Sequence, residues 1–458
     1  MEIQNIDLPI RPRLGEVVDL LAQRPALVLK AEPGAGKTSL VPLILAEAWP
    51  QDGKVIVLEP RRLAAVQSAA RAAELIGENT GSSIGYRVRG DSRPGSRVEF
   101  VTEGVFLRMI HDDPSLAGIG SVVFDEFHER SLQADLGLAL ALDARSAFRP
   151  GLRLVIMSAT MKSEALAAFI QGSSIEIEGR NFPVDTVYRP MPEGPGFERA
   201  FADLALEILL GGKSRPGQQN LARQGNLLVF LPGMAEIEAV GRCLGGLGSD
   251  NSGRPDILAL HGGLALESQR KVITAQNLQD RQRIILATSI AETSLTVPGI
   301  SAVLDSGLAR LTRFEHRSGL NRLVTERESR DRADQRKGRA GRLGPGQCFR
   351  AWSQAESLPE TTQPEILRAE LSALVLEAVA WGARLPKDLP WLDAPPEGAW
   401  DSAHDLLYSL GALDEGGRIT KLGLACLRMG TEPRIATMVL HGLSRGRLGD
   451  AAGLAALL

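Results

Sequence analysis

Short runs of Val, Ile and Leu alternate with stretches of helical spacing along the first part of the chain. "PALVLKA" (25–31), "KVIVLEP" (54–60), "RVEFVT" (97–102), "SVVFDE" (121–126) and "RLVIMSA" (153–159) are short runs rich in apolar residues. Such runs predict strands buried on both faces. Between them, "RLAAVQSAARAAELI" (62–76) and "TEGVFLRMIHD" (102–112) predict helices. Strand and helix in repeated alternation give an α/β fold with a parallel sheet. A second series, "GNLLVFLPG" (225–233), "DILALHGG" (256–263), "RIILATS" (283–289) and "SAVLDSG" (301–307), predicts a second such sheet. The polar stretch 211–226 reads as a loop inside this second unit, which places the boundary near 180.

From about 356 the strand signal stops. "PEILRAELSALVLEAVAWG" is helical, and "AHDLLYSLGALDEGGRITKLG" predicts a helix, a turn and a short strand pair, as in a winged helix. Residues 431–458 are helical again, and the apolar ending "GDAAGLAALL" reads as a cut inside a domain. The units are therefore 1–180, 181–355, 356–430 and 431–458.

Composition adds limits. The formal net charge of the 458 residues is −3, so contact with nucleic acid must rest on local basic patches. The segment 308–342 is one, being thick with Arg. Cys243, Cys348 and Cys426 lie far apart and form no Cys/His cluster, which argues against a disulfide framework or zinc and fits a cytoplasmic protein. The start of the chain has no signal pattern, and no apolar run reaches the roughly 18 residues of a membrane span. His111, His261, His316, His404 and His441 show no metal spacing and read as structural. The five Trp read as packing anchors, and the low aromatic content favours backbone tracking over base readout.

Three motifs carry chemistry. "AEPGAGKTS" (31–39) follows a strand and opens a helix, as a phosphate loop does, although Ala31 stands where the usual pattern has glycine. Gly34 and Gly36 let the backbone curl, amides at the helix start face phosphate, Lys37 neutralises it, and Thr38 ligates Mg²⁺. "VVFDEFHER" (122–130) ends a buried strand on two acids, with Asp125 set to hold Mg²⁺ and Glu126 to orient and deprotonate water. In "QRKGRAGR" (335–342), Arg336, Arg339 and Arg342 recur every third residue and are expected on one helix face. They form either a solvated or nucleic-acid-binding face or a set that reaches a phosphate held by the first unit.

The ordered motifs "AEPGAGKTS", "LEPRRLAA", "VTEGVFLR", "DEFHER", "MSAT", "LVFLPGMAEI", "ATSIAETSLTVPGI" and "QRKGRAGR" resemble superfamily 2 helicases of the DEAH/RHA group, most of all the bacterial HrpB-type branch. The resemblance implies two tandem RecA-like P-loop domains with parallel sheets (1–180 and 181–355), a winged helix (356–430) and the start of a helical ratchet domain (431–458). It implies an ATP-dependent translocase on single-stranded RNA or DNA with 3′-to-5′ polarity, using ATP or another NTP with Mg²⁺.

Carried over by position, Gly34, Ala35, Gly36, Lys37, Thr38 and Ser39 match the phosphate loop. Asp125 and Glu126 match the acids that hold Mg²⁺ and activate water. His128 couples the nucleotide site to the second domain, and Ser158 and Thr160 form the linking "SAT". Gln335 positions water, and Arg339 and Arg342 match arginine fingers. Arg61, Arg62, Thr102, Gly104 and Thr288 match positions that hold the nucleic-acid backbone. Arg71 matches an arginine that stacks on the base, and the stretch 309–325 a strand-separating hairpin. Two departures stand out. Phe127 replaces the alanine of D-E-A-H and is expected to pack inward. Pro298 replaces an aspartate near the ribose, leaving Thr296 as a ribose contact and nucleotide choice loose. The rival readings are a binding scaffold with a vestigial ATPase, against which Lys37, Glu126 and Arg342 stand intact, and a protein-remodelling or transport ATPase, against which "PRR" and "TEG" count.

Overall fold

A computed structural model describes residues 8–457 apart from 33, 162, 180–181, 193, 212–224, 249–254, 275–280, 293–296 and 316–319. Thr296, His316 and most of the 211–226 loop therefore lie outside the described residues.

The first sheet contains β1 (Ala26–Ala31), β2 (Lys54–Glu59), β3 (Ile84–Val88), β4 (Asp91–Arg93), β5 (Val98–Thr102), β6 (Ile119–Phe124), β7 (Arg153–Ser158) and β8 (Ser173–Ile177). Their order is β4-β3-β5-β2-β6-β7-β1-β8, parallel except for the antiparallel pair of β3 and β4. The second sheet contains β9 (Val184–Tyr188), β10 (Asn226–Phe230), β11 (Asp256–Leu260), β12 (Arg283–Ala287) and β13 (Ile300–Asp305). An antiparallel hairpin, β14 (Leu308–Glu315) and β15 (Leu320–Arg327), precedes its last strand, β16 (Gly346–Arg350). Its order is β11-β12-β10-β13-β16-β9, parallel throughout.

The apolar runs are inner strands, except that "DILALHGG" forms β11 at the edge of the second sheet. Every residue of β6 and β12 is buried, because helices cover both faces of a parallel sheet. The unforeseen strands are mostly marginal ones. β4, β8 and β9 are edges with mixed polar and apolar residues, "DSR", "SSIEI" and "VDTVY", so no continuous apolar run announces them. The chain passes from one sheet to the other between Ile177 and Val184.

After β16 the described chain is helical, with helices Ser372–Trp381, Glu397–Ser409, Lys421–Met429, Pro433–Ser444 and Leu448–Leu457. The expected strand pair between the second and third of these is a single antiparallel bridge, Leu413 to Ile419. These helices share one apolar core with the first sheet: Leu374, Trp400 and Leu407 are buried with Phe106, Leu140 and Ile156. Trp381 Nε1 also donates to Asp143 Oδ2 at 2.8 Å. The hairpin leans on the same helical segment, since Phe314 N donates to Arg368 O at 3.2 Å and Arg368 Nη1 to Thr312 O at 2.6 Å.

Candidate active site

The carboxyl ends of β2, β6, β7 and β1 lie side by side, which is where an open parallel sheet gathers ligand-binding groups. They deliver Glu59, Asp125, Ser158 and the loop after Ala31 to one place. Ala31 ends β1 in extended backbone, so its position needs no glycine. The left-handed residues come later, Gly34 (φ 90°) and Gly36 (φ 92°). A Cβ on Gly36 would stand 2.7 Å from Leu8 Cδ1, a side-chain end free to shift, so it is the φ that reserves that position for glycine. Ala35 is fully buried and its carbonyl accepts from Ile10 N at 3.0 Å, which ties the loop to the segment before the first helix. Lys37 then starts helix Lys37–Ala48, so its first turn, with Thr38 and Ser39, faces the acids after β6.

Lys37 is 4% exposed, with Nζ 3.0 Å from Glu126 Oε2 and 3.6 Å from Asp125 Oδ1. The Thr38 hydroxyl donates to Asp125 Oδ2. Asp125 N donates to Leu58 O at 3.0 Å, which fixes the acid against β2. Burial raises the Asp125 carboxyl, with Lys37 opposing. Burial would raise Glu126 too, but Lys37, His128 and Arg339 overcome it and hold that carboxyl at about 2. His128 Nδ1 lies 3.6 Å from Glu126 Oε2. Glu126 itself is in left-handed backbone (φ 49°). Phe127 packs inward as expected, 1% exposed and edge-on to Phe124 with ring centroids 6.0 Å apart.

The set suits Mg²⁺: a hydroxyl and a carboxylate face each other, hard oxygens beside a place for phosphate. A cation there would also relieve the buried Asp125 charge. Among the described residues, no group of three or more His, Cys, Asp or Glu is spaced to hold a metal. Mg²⁺ fits this, because it usually shares its shell with water and substrate phosphates.

From the second sheet, Arg339 and Arg342 both face Glu126 electrostatically. Burial lowers both guanidiniums, Arg342 to about 10, and Arg342 pushes Arg339 down further. The one-face expectation is corrected here. Helix Arg330–Gly338 ends before either residue, so only Arg336 of the three is helical. Arg336 points the other way, into the second domain, 1% exposed among Glu292 (2.6 Å), Asp305 (2.8 Å) and Glu328 and over the Phe230 ring. The amide nitrogen of Gln335 is buried and makes no hydrogen bond.

Residues 15–169 match the family DEAD/DEAH box helicase, 207–344 the helicase conserved C-terminal domain, and 403–425 the helicase associated domain (HA2), winged-helix. ATP-dependent RNA helicase HrpB of Escherichia coli is 43% identical over 457 residues, which is 98% of this chain and 54% of that protein. The chain carries a DEAD/DEAH box helicase domain, a helicase C-terminal domain and an HA2 winged-helix match. The ATP-dependent RNA helicase HrpA homolog of Haemophilus influenzae is 33% identical over 96% of this chain and 34% of its own length. The chain thus spans about half the length of the first relative and about a third of the second. Crystal structures of Escherichia coli DEAH/RHA helicase HrpB and of E. coli DExH-box NTPase HrpB match with TM-scores of 0.85 and 0.81, both at 41% identity. They cover 98% and 99% of this chain and 56% and 55% of theirs. Two RecA-like domains and a winged helix are the architecture of this chain.

The remaining expected positions belong to both domains, and one side chain crosses the interface between them. Arg61 spans it, donating from Nη1 to Ser289 O at 2.7 Å and from Nη2 to Glu129 at 3.3 Å. Arg62 is exposed. Thr102 ends β5, Gly104 lies exposed in the first turn of the helix that follows, and Thr288 follows β12, its N donating to Leu260 O. Ser158 is fully buried at the end of β7, and its hydroxyl accepts from Met161 N at 3.2 Å and Thr160 N at 3.4 Å. Arg71 pairs with Glu74 at 2.7 Å on an exposed helix face. The Pro298 carbonyl accepts from Asn226 Nδ2 at 3.2 Å. Two residues of the site escaped the sequence reading. Glu59, fully buried at the end of β2, is held well above the carboxylate range by burial and by Asp125. The available signal was the one that exposed Asp125, an acid closing an apolar run. Arg130 gave no signal, because one of its partners, Asp393, lies 263 residues away.

Proposed function

We propose that the chain is the motor of an ATP-dependent RNA helicase that moves 3′-to-5′ along a single strand, with domains at 1–180, 181–355, 356–430 and 431–458. The observation that carries this reading is the meeting of Lys37, Thr38, Asp125 and Glu126 from one sheet with Arg339 and Arg342 from the other. Amides of the loop 34–39 bind the phosphates, and Lys37 moves from the carboxylates to the β- and γ-phosphates. Mg²⁺, held by Thr38 and Asp125, would supply charge neutralisation. Glu126 orients the water and takes its proton, with Gln335 fixing the water from the other side. Arg339 and Arg342 stabilise charge on the transferring phosphoryl group, so closure and hydrolysis depend on each other.

His128, Ser158 and Thr160 pass that change to the strand grip formed by Arg61, Arg62, Thr102, Gly104 and Thr288. Arg61 is engaged across the cleft here, so a nucleic-acid phosphate has to compete with Ser289 and Glu129 for it. Arg71 and Thr296 serve base and ribose. The protein works in the cytoplasm. No described helix is long and apolar enough to cross a membrane.

The test is NTP hydrolysis with and without single-stranded RNA or DNA, followed by unwinding of duplexes with 3′ or 5′ overhangs. Strong stimulation and 3′-dependent unwinding are expected. Hydrolysis indifferent to nucleic acid would favour a protein-remodelling ATPase, and binding without hydrolysis a scaffold.

A further inference from the structure

One side chain ties the turn that carries Glu126 to the helical segment after the second domain. Residues 127–129 form a single tight turn bracketed by two left-handed residues, Glu126 and Arg130, both at φ 49°. Such backbone is costly for a residue with a side chain and persists where the surroundings over-determine it. Inside the turn, Glu129 N donates to Glu126 O at 2.9 Å and Arg130 N to Phe127 O at 3.1 Å. The rest of the support comes from outside. Arg130, 9% exposed, donates to both oxygens of Asp135 (2.7 and 3.2 Å) and to Asp393 Oδ2 at 2.6 Å. Its carbonyl accepts from Glu365 N at 3.1 Å, and the Glu365 carboxylate accepts from Leu132 N at 3.1 Å. The short turn Glu365–Leu367 leads directly to Arg368, whose guanidinium and carbonyl hold the hairpin of the second domain. A contiguous set of contacts therefore runs from the hairpin through 365–368 to the turn beside Glu126.

We propose that Arg130 is a positioning residue that transmits the seating of the helical segment, sensed at Asp393 and Glu365, to the Glu126 carboxylate. This rests on the assignment of Glu126 as the water-activating acid. Asp135 is a fixed anchor, since it shares the Arg130 domain, whereas Asp393 and Glu365 belong to the segment that packs against it. When that segment is seated, three groups fix Arg130 and the strained turn holds Glu126 against Lys37 and His128. When it shifts, Asp135 alone keeps the guanidinium and the turn relaxes towards ordinary backbone. Nucleic acid that moves the hairpin or the helices can thereby change turnover without touching the nucleotide.

Asp393 touches none of the proposed nucleotide-site residues, so it is the position to change. In Asp393→Ala, kcat for NTP hydrolysis with single-stranded RNA should fall about tenfold while KM for NTP holds within about twofold. The melting temperature should stay within about 2 °C. Asp393→Glu should restore kcat. Amide exchange of residues 127–132 should rise in Asp393→Ala and return in Asp393→Glu, while that of β6 and β7 stays fixed. Unchanged kcat with unchanged exchange at 127–132 overturns the proposal. So does a loss of kcat that follows a fall in melting temperature and is not rescued by Glu, because that marks a merely structural contact. If the unaltered chain hydrolyses no NTP, the helicase assignment fails, and the exchange comparison still decides whether Asp393 holds the turn.

Discussion

Replacing Glu126 by Gln should tighten nucleotide binding as it stops turnover. Lys37 Nζ rests 3.0 Å from Glu126 Oε2, so an incoming phosphate must take that ammonium over. It must also bring its own charge next to a carboxylate in a dry site. A carboxyl held at about 2 has its charged form favoured by roughly 3 kcal/mol relative to its ordinary value, after burial has been opposed chiefly by Lys37. Gln keeps the size and one carbonyl acceptor but removes the competing charge. Lys37 retains Asp125 at 3.6 Å, so the variant does not strand a buried cation. Recovering part of that, on the order of 1 kcal/mol, means NTP binds several-fold more tightly. Loss of the proton acceptor should lower single-turnover hydrolysis by about 10²–10⁴. Anisotropy titration with a fluorescent non-hydrolysable NTP analogue and Mg²⁺ measures the first effect, and quenched-flow hydrolysis the second. Binding that is unchanged or weaker would refute the competition for Lys37, and retained hydrolysis would show that the base lies elsewhere.

Arg342→Ala should keep fold and nucleotide affinity but lose about 10³–10⁵ of the hydrolysis rate, measured at saturating NTP. Arg336→Ala should instead unfold the second domain, because it strands Glu292, Asp305 and Glu328 together, with a loss of at least about 3 kcal/mol in a urea melt. Burial raises the Glu103 carboxyl to about 8, with the Ser131 hydroxyl opposing, so between about 4.5 and 8 the folded chain keeps a proton that the unfolded chain has released. Stability should therefore fall as pH rises through that window, by roughly 3 kcal/mol at pH 7. Glu103→Gln should flatten the profile, and an unchanged slope in melts between pH 5 and 8 would remove Glu103 as its source. With Pro298 in place of an aspartate, ATP, GTP, CTP and UTP should be hydrolysed within about tenfold of one another, a spread of roughly 1.4 kcal/mol, and a hundredfold preference for ATP would show a base contact elsewhere.

Most inner strands were legible because burial on both faces leaves mainly apolar residues in them, as in "SVVF" and "RIILA", whereas β3 ("IGYRV") and β16 ("GQCFR") carry polar residues that hid them. The loop 34–39 and the acids 125–126 were legible because they interrupt such runs at the carboxyl ends of strands. The edge strands β4, β8 and β9 were not, since polar residues interrupt each and its side chains carry no period long enough to stand out. Nor could spacing reveal the surroundings of Arg130. Its partners lie 5 and 263 residues away, and only folding brings Asp135 and Asp393 to one guanidinium. The helix boundary at Gly338 was hidden for a similar reason: "RKGRAGR" suits a helix face, and glycine ends the helix before the second arginine of the series.

The arginines of that motif are better sorted by the charge around them than by their spacing. Arg336 is surrounded by three carboxylates and a ring face, and its guanidinium is driven well above the ordinary range despite burial. A group so satisfied has no reason to leave for a phosphate, and moving it would strand the acids it neutralises. Arg339 and Arg342 are in the opposite condition. Burial depresses both, and Glu126 from the other domain is a carboxylate that opposes this in each case. Desolvated cations held short of full compensation gain most from an added anion, and least when water can reach them. A phosphoryl group between Lys37 and these two residues would supply that anion while relieving their mutual repulsion. In the proposed motor, the same electrostatics make the open cleft costly once NTP is bound and the closed cleft costly once phosphate has left. Alternation between the two states then needs no further device than the charge that arrives with NTP and departs with phosphate.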